Sequence, residues 1–171
     1  MNLNTFLVAF IFLVSIQSFA QDSMIVGETS KEELMNNTNF EWFDTNYNNF
    51  KTDSELIKKI KRLLNKNKYS IEVYFGTWCS DSQREVPEFI KILDESKFNY
   101  KKLKLIGVPE SKEVPGVSEE KSKELNITNV PTIIVYENGK EVNRYVEYAR
   151  ETLEKDLIKI LSKEPYKHSY Y

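Results

Sequence analysis

The feature that most constrains the fold is an alternation of helical and extended patterns over residues 52–161. Segments with apolar residues every three or four positions alternate with short segments that are apolar at every second position. This alternation predicts parallel strands connected by helices. The predicted order is α-β-α-β-α-β-β-α, with helices at 52–68, 82–95, 118–125 and 150–161 and strands at 69–75, 100–108 and, as a hairpin, 131–148.

The hairpin is predicted from a turn signal. Asn138 and Gly139 stand between two alternating segments, and this pair favours the type I′ turn of a tight hairpin. A hairpin adds an antiparallel edge to a parallel sheet. We therefore predict an α/β fold, a three-layer α/β/α sandwich with a mixed central sheet of about four strands.

Two of the predicted helices carry clear local signals. Thr52 and Glu55 have the spacing of a capping box, followed by an apolar stripe. Pro87 falls inside the second helix, which we expect it to kink. The stripes comprise Leu56, Ile57, Ile60, Leu63 and Leu64 in the first helix and Val86, Phe89, Ile90 and Leu93 in the second.

The first twenty residues have the pattern of a secretory signal peptide. An uncharged apolar run at 6–16 precedes Ser18 and Ala20, which are small residues at the −3 and −1 positions of a cut after Ala20. The run is shorter than the ~20 apolar residues of a membrane-spanning helix. The alternative is a retained membrane anchor, because residues 1–5 contain no Lys or Arg. No cysteine directly follows the run, and this argues against an N-terminal lipoprotein anchor. We expect an extracytoplasmic location, periplasmic or secreted.

The rest of the chain has the length of one domain. We predict an N-terminal extension at 21–50 that begins as a loose lead-in and packs its aromatic residues on the domain edge. The domain itself is expected at 51–162, and a flexible tail at 163–171.

Charge and histidine content argue against several functions. The chain has 24 basic and 26 acidic residues, so its net charge of −2 gives no general attraction to nucleic acid. The lysine-rich segments at 58–68 and 101–104 are interpreted as solvated faces. His168, in the tail, is the only histidine, and we expect neither a metal site nor a cofactor.

Cys79 is the only cysteine, so it cannot form an internal disulfide. It is a buried apolar residue, an intermolecular partner or a reactive thiol. Its sulfur is predicted at a helix N-terminus, where free backbone N–H groups and the helix dipole favour the thiolate. Ser82, one turn on, can direct its hydroxyl at this sulfur. The charge of Asp81 opposes the thiolate.

The chain resembles the thioredoxin-fold family over residues 52–161. The resemblance rests on Trp78-Cys79 at a strand-to-helix turn, on Pro87 eight residues after the cysteine, and on Val130-Pro131-Thr132 before the hairpin. The segment GTWCSDSQREVPEF looks most like the secreted bacterial branch of the family, whose motif reads W-C-x-D-C. Here Ser82 replaces the second cysteine.

The resemblance implies roles for these residues. Cys79 would be the nucleophile, with Ser82 beside it, and the Val130–Pro131 peptide bond would be cis and lie against the sulfur. Trp78, Val130 and Pro131 would form the substrate-binding surface. The supporting residues would be Ser80, Asp81 and Pro87.

The departures from the family limit the chemistry. The exchange cycle of the family needs a second cysteine to resolve the mixed disulfide, and Ser82 cannot do this. Many thioredoxins carry a buried acid six residues before the first cysteine, where this chain has Val73. Glu72 is adjacent but should point to the other face of the strand.

The favoured hypothesis is monothiol thiol–disulfide exchange through a mixed disulfide on Cys79. Its partners would be protein thiols or disulfides, or a low-molecular-weight thiol, with no nucleic acid and no stable membrane insertion after signal cleavage. The alternative is a non-redox module of the same fold that binds peptides or proteins. A thiol peroxidase is disfavoured, because no arginine is identified in a position to support a peroxidatic cysteine.

Overall fold

A computed structural model describes residues 24–66 and 68–171, which form a mixed five-stranded sheet with helices on both faces. The predicted signal peptide lies outside these residues. The strands are β1 (Gly27–Thr29), β2 (Tyr69–Phe75), β3 (Leu103–Gly107), β4 (Thr132–Glu137) and β5 (Lys140–Val146). The helices are α1 (Lys31–Asn36), α2 (Glu41–Asn49), α3 (Ser54–Lys66), α4 (Ser80–Glu95), α5 (Glu119–Leu125) and α6 (Leu153–Ser162), and a 3₁₀ turn at Tyr100–Lys102 precedes β3.

The sheet confirms the predicted fold class and corrects its strand number. The strand order is β1-β3-β2-β4-β5, in which β2 and β3 are parallel and the other neighbours are antiparallel. The additional strand is β1, in the segment that we expected to be a loose lead-in. It pairs Gly27 with Gly107 and Thr29 with Leu105. Three residues are too few to show an alternating pattern, so only pairing with β3 reveals the strand.

The two faces of the sheet pack against two separate clusters of buried residues. Ile71, Val73 and Phe75 of β2 face the larger cluster, which also contains buried residues of α3, α4 and α6. Tyr74 faces a smaller cluster that includes Leu125 of α5. The apolar stripe predicted for the second helix is confirmed, since all of its members are buried.

The start of α3 differs from the predicted capping box. The carboxylate of Asp53 accepts the backbone N–H groups of Glu55 and Leu56, at 2.8 and 3.2 Å. The hydroxyl of Thr52 instead donates to the carboxylate of Glu95 at 2.5 Å. Asp53 therefore caps the helix, and the predicted pairing of Thr52 with Glu55 is wrong.

The hairpin prediction is confirmed. Asn138 and Gly139 connect β4 and β5 with φ angles of 52° and 78°, the left-handed values that a type I′ turn requires. This turn places β5 at the edge of the sheet, next to α6.

Both ends of the described chain contact the domain. Phe40 and Phe43 are buried in the larger core, so part of the N-terminal extension enters the core rather than resting on the domain edge. In the tail, which we expected to be flexible, the hydroxyl of Tyr166 donates to Asp156 at 3.2 Å. The carbonyl of Tyr166 accepts from Asn143 at 3.1 Å. Within residues 24–66 and 68–171, no helix combines the length and apolar character needed to cross a membrane.

Candidate functional site at the start of helix α4

Cys79 lies where strand β2 gives way to helix α4. It is the N-cap residue, with an extended backbone, and α4 starts at Ser80. Its N–H donates to the carbonyl of Gly76 at 3.0 Å, and its carbonyl accepts the first helical bond from Gln83 at 2.9 Å. The side chain is half-buried. The turn therefore holds the sulfur at the N-terminus of α4, as the sequence predicted.

The sulfur lies against the loop that precedes β4. The thiol of Cys79 donates to the carbonyl oxygen of Val130 at 3.3 Å. Val130 is 3% exposed, and the Val130–Pro131 peptide bond is cis. The structure thus brings Cys79, Val130 and Pro131 together from segments that are 51 residues apart.

Trp78 covers the turn beside the sulfur. Its indole N–H donates to the carbonyl of Val108 at 2.9 Å, and the ammonium of Lys112 lies 5.8 Å from the ring centroid. A Cβ atom at Gly76 would lie 2.5 Å from Cε2 of the ring. Glycine at position 76 is therefore needed for the ring to pack on the turn.

Ser82 supports the turn through a hydrogen bond with the backbone. It is fully buried, and its hydroxyl oxygen accepts the N–H of Gly76 at 3.2 Å. Among the described residues, no hydrogen bond joins this hydroxyl to Cys79, so the predicted contact with the sulfur is not present; the oxygen instead satisfies a buried backbone N–H. Gln83, which sequence reasoning missed, donates from its amide to the carbonyl of Thr77 at 2.7 Å. The only sequence signal for this hydrogen bond was a polar residue in the first turn of a helix.

Asp81 is paired with a cation. Nη2 of Arg84 lies 2.7 Å from Oδ1 of Asp81, and Nε of Arg84 donates to Glu85 at 3.1 Å. Glu85 is 6% exposed and also accepts the hydroxyl of Tyr145 at 2.6 Å. Burial raises the pKa of Glu85, although the hydrogen bonds from Tyr145 and Arg84 act in the other direction. Arg84 thus neutralises the charge of Asp81, the carboxylate two residues from Cys79 in the chain.

The remaining predicted residues, Ser80 and Pro87, are both in α4. Ser80 is exposed as the first residue of α4. Pro87 is buried inside α4, about 12 Å along the helix from Cys79 at 1.5 Å per residue. Pro87 therefore belongs to the body of the helix, whereas Ser80 is exposed directly beside Cys79 in the chain.

The fold and this turn agree with the comparison against known protein families. The sequence model of the thioredoxin family matches residues 52–159. The chain belongs to the thioredoxin family. This membership supports a role in thiol redox chemistry in general.

Two thioredoxins are among the similar sequences. A thioredoxin of Mycoplasma genitalium is 27% identical over 107 residues, which are 63% of this chain and 96% of that protein. Thioredoxin 1 of Plasmodium falciparum is 35% identical over 81 residues, which are 47% of this chain and 69% of that protein.

Two solved structures have lower similarity. One, on the thiol resolving mechanism in yeast mitochondrial 1-Cys peroxiredoxin via glutathione/thioredoxin systems, has a TM-score of 0.38 and 20% identity over 58% of this chain and 86% of that one. The structure of oxidised mitochondrial thioredoxin 3 from Saccharomyces cerevisiae has a TM-score of 0.32 and 17% sequence identity. The match covers 52% of this chain and 74% of that one. The assignment to the thioredoxin family rests on the sequence matches.

The buried acid of the acid-assisted site is absent from this chain, and the neighbouring glutamate does not replace it. Position 73 is a valine, fully buried in the larger core. Glu72 points to the other face of β2, as predicted, and accepts the hydroxyl of Tyr74 at 2.8 Å. It lines a cavity of about 600 Å³ with Tyr136 and Lys104, on the sheet face away from the larger core. Among the described residues, no group of three or more His, Cys, Asp or Glu could hold a metal ion.

Proposed function

We propose that this protein performs monothiol thiol–disulfide exchange through Cys79. The observation that carries the proposal is the position of the sulfur. It lies at the N-terminal end of α4, 3.3 Å from the carbonyl oxygen of Val130. Membership of the thioredoxin family supports redox use of such a thiol. The motif also resembles W-C-x-D-C of the secreted bacterial branch, with Ser82 at the second cysteine.

The exchange has two balanced steps. The thiolate of Cys79 attacks one sulfur of a disulfide, forms a mixed disulfide with it and releases the other sulfur as a thiolate. A second thiol then attacks the mixed disulfide, which regenerates the Cys79 thiolate and forms a new disulfide. That thiol must come from the substrate or from a low-molecular-weight thiol, because the hydroxyl of Ser82 is not a reductant. The reaction transfers or rearranges disulfides without net oxidation of the protein.

Val130 and Pro131 are proposed to bind the substrate. Both are buried, and the carbonyl of Val130 already contacts the thiol. A substrate chain that pairs with this loop would present its disulfide directly to Cys79. Trp78 closes the neighbouring side of the turn and limits the approach of other molecules to the sulfur.

The test is the capture and release of a mixed disulfide. We expect the protein to form an adduct with oxidised glutathione that is visible by intact mass and absent in Cys79→Ser. Ser82→Cys, which restores the C-x-x-C spacing, should release the bound thiol without added reductant. Cys79→Ala is a control that removes the sulfur without adding a hydroxyl.

Two outcomes would contradict the exchange proposal. The first is a wild-type adduct that forms no faster at neutral pH than the adduct of an unstructured peptide with one cysteine. The second is a wild-type protein that forms no adduct with glutathione or a disulfide-bearing peptide. Peptide binding that survives Cys79→Ser, without any adduct, would favour the non-redox binding module.

We also propose that the protein is exported. The apolar run at 6–16, followed by Ser18 and Ala20, supports cleavage after Ala20. Intact mass of protein recovered from producing cells should correspond to a chain that begins at Gln21. A chain that keeps residues 1–20 and fractionates with membranes would support the retained anchor instead.

A further inference from the structure

The C-terminal residues lie against the turn that follows strand β5. The hydroxyl of Ser169 donates to the carbonyl of Tyr148 at 2.7 Å. The rings of Tyr148 and Tyr170 meet edge to face, with centroids 6.2 Å apart. The tail is therefore fixed by contacts on both the backbone and the ring of Tyr148.

The same turn is joined to the loop that contacts Cys79. The N–H of Glu147 donates to the carbonyl of Pro131 at 2.7 Å, and its carboxylate accepts the amide of Asn129 at 2.8 Å. Glu147 directly precedes Tyr148 in the chain. The turn at these two residues thus connects the tail to the Val130–Pro131 loop.

The tail also reaches the strand that follows this loop. Tyr170 and Thr132 line one recess, and Thr132 directly follows Pro131 in the chain. Tyr170 therefore lies near the Val130–Pro131 loop, in which the carbonyl of Val130 accepts the thiol of Cys79.

Aromatic surface is exposed at this end. Tyr148, Tyr170 and Tyr171, here called the tyrosine patch, are 44%, 51% and 80% exposed. Tyr170 and Tyr171 also line a recess of about 370 Å³ that reaches Thr132, the residue after Pro131. Single exposed aromatic residues are ordinary, but a cluster beside the loop that contacts a thiol indicates an interaction surface.

We propose that the tyrosine patch extends the substrate-binding surface and selects an extended polypeptide chain that flanks the reactive disulfide. This inference rests on the proposed exchange at Cys79. The occupant is a polypeptide because the patch continues from the Val130–Pro131 loop. Only a chain that runs past Pro131 contacts both, whereas a small disulfide reacts at the sulfur alone. Tyrosine rings provide large contact areas with little loss of side-chain entropy.

The test compares two disulfides with the same leaving group. One is free cysteine activated as a mixed disulfide with thionitrobenzoate. The other is a ten-residue peptide with one central cysteine activated in the same way and with leucine and tyrosine on both sides. Release of thionitrobenzoate gives the rate of attack by Cys79 in each case. We expect wild type to react faster with the peptide.

The variant Tyr148→Ala/Tyr170→Ala should remove this preference. We expect its rate with the peptide to fall about tenfold, the order of effect of truncating central aromatic contacts, while its rate with activated cysteine changes less than about twofold. Tyr148→Phe/Tyr170→Phe keeps the rings and should retain most of the preference. Val117→Ala, at an exposed apolar residue that does not line this recess, is the matched control.

The other outcomes overturn the inference in distinguishable ways. An equal fall with both probes would mean that the tail acts on Cys79 itself. No fall with the peptide would mean that the patch does not contact substrate. If the alanine variant only converts a wild-type dimer into a monomer, the patch binds a second copy instead. Wild-type protein that reacts with neither probe would remove the proposed function as well.

Discussion

Replacing Tyr145 with phenylalanine tests the connection between the sheet edge and the helix that carries Cys79. Tyr145, on β5, is 2% exposed, and its hydroxyl donates to Oε2 of Glu85 at 2.6 Å. Glu85, on α4, is 6% exposed. The substitution keeps the buried ring and removes only the donor, so the change in stability reports this hydrogen bond.

The expected loss follows from the charge of the acceptor. Hydrogen bonds to charged groups contribute about 1.5–3 kcal/mol to stability. Oε1 of Glu85 keeps its bond from Arg84 at 3.1 Å, so the carboxylate is not left without a partner. We therefore expect Tyr145→Phe to lower the free energy of unfolding by about 2 kcal/mol at about pH 8.

The loss should depend on pH. Burial raises the pKa of Glu85, so the folded protein binds a proton there as the pH falls through that raised value. The hydrogen bond is then between neutral groups and about half as strong. At about pH 5 the loss should accordingly be smaller than at about pH 8.

Urea unfolding followed by tryptophan fluorescence gives the free energies and their urea dependence. Tyr148→Phe is the control, because Tyr148 is 44% exposed and its hydroxyl is not buried against a carboxylate. It should change stability by less than about 0.5 kcal/mol. A double-mutant cycle with Glu85→Gln should return a coupling of about 1 kcal/mol or more. The reasoning is refuted if Tyr145→Phe loses less than about 0.5 kcal/mol at an unchanged urea dependence.

Three further predictions concern α4 and the segment packed on it. Burial raises the pKa of Glu88 to about 7, so the folded state loses stability as pH rises from about 4.5 to about 7. Glu88→Gln removes the titrating carboxyl and should therefore remove about 1 kcal/mol of that loss. The expected figure is this small because water partly screens the half-exposed side chain. Urea midpoints at about pH 5 and pH 8 measure this, and parallel pH profiles would contradict it. Arg84→Gln leaves the charge of Asp81 without a partner and should slow the alkylation of Cys79 at neutral pH about twofold. Arg84→Lys keeps the positive charge and should not slow it. Equal alkylation rates in both variants would contradict the role of the charge. Phe43→Ala should lower the free energy of unfolding by about 3–5 kcal/mol, because Phe43 is fully buried in the larger core, and a loss below about 1 kcal/mol would mean that the extension contributes little to folding.

The site was predictable where its determinants are local. The strand-to-helix turn at Cys79 and the hairpin at Asn138-Gly139 follow from residues that are adjacent in the chain. The resemblance to thioredoxins added the pairing of Cys79 with the Val130–Pro131 loop, which no local pattern contains. The hydrogen bond from the Gly76 N–H to Ser82 was not predictable, because it depends on how the folded turn places this N–H relative to the serine oxygen.

Within residues 52–161, the sequence by itself determined the order of helices and strands, their apolar faces and the position of the only thiol. Before residue 52 it did not predict β1, α1 or α2. Periodicity and turn chemistry act over a few residues, and each segment carries them without reference to the rest. The tertiary structure alone decided that β1 pairs with β3, that Tyr145 binds Glu85, and that the N–H of Glu147 donates to the carbonyl of Pro131. These contacts join residues far apart in the chain. They form only when packing of the sheet and helices brings those residues within hydrogen-bonding distance.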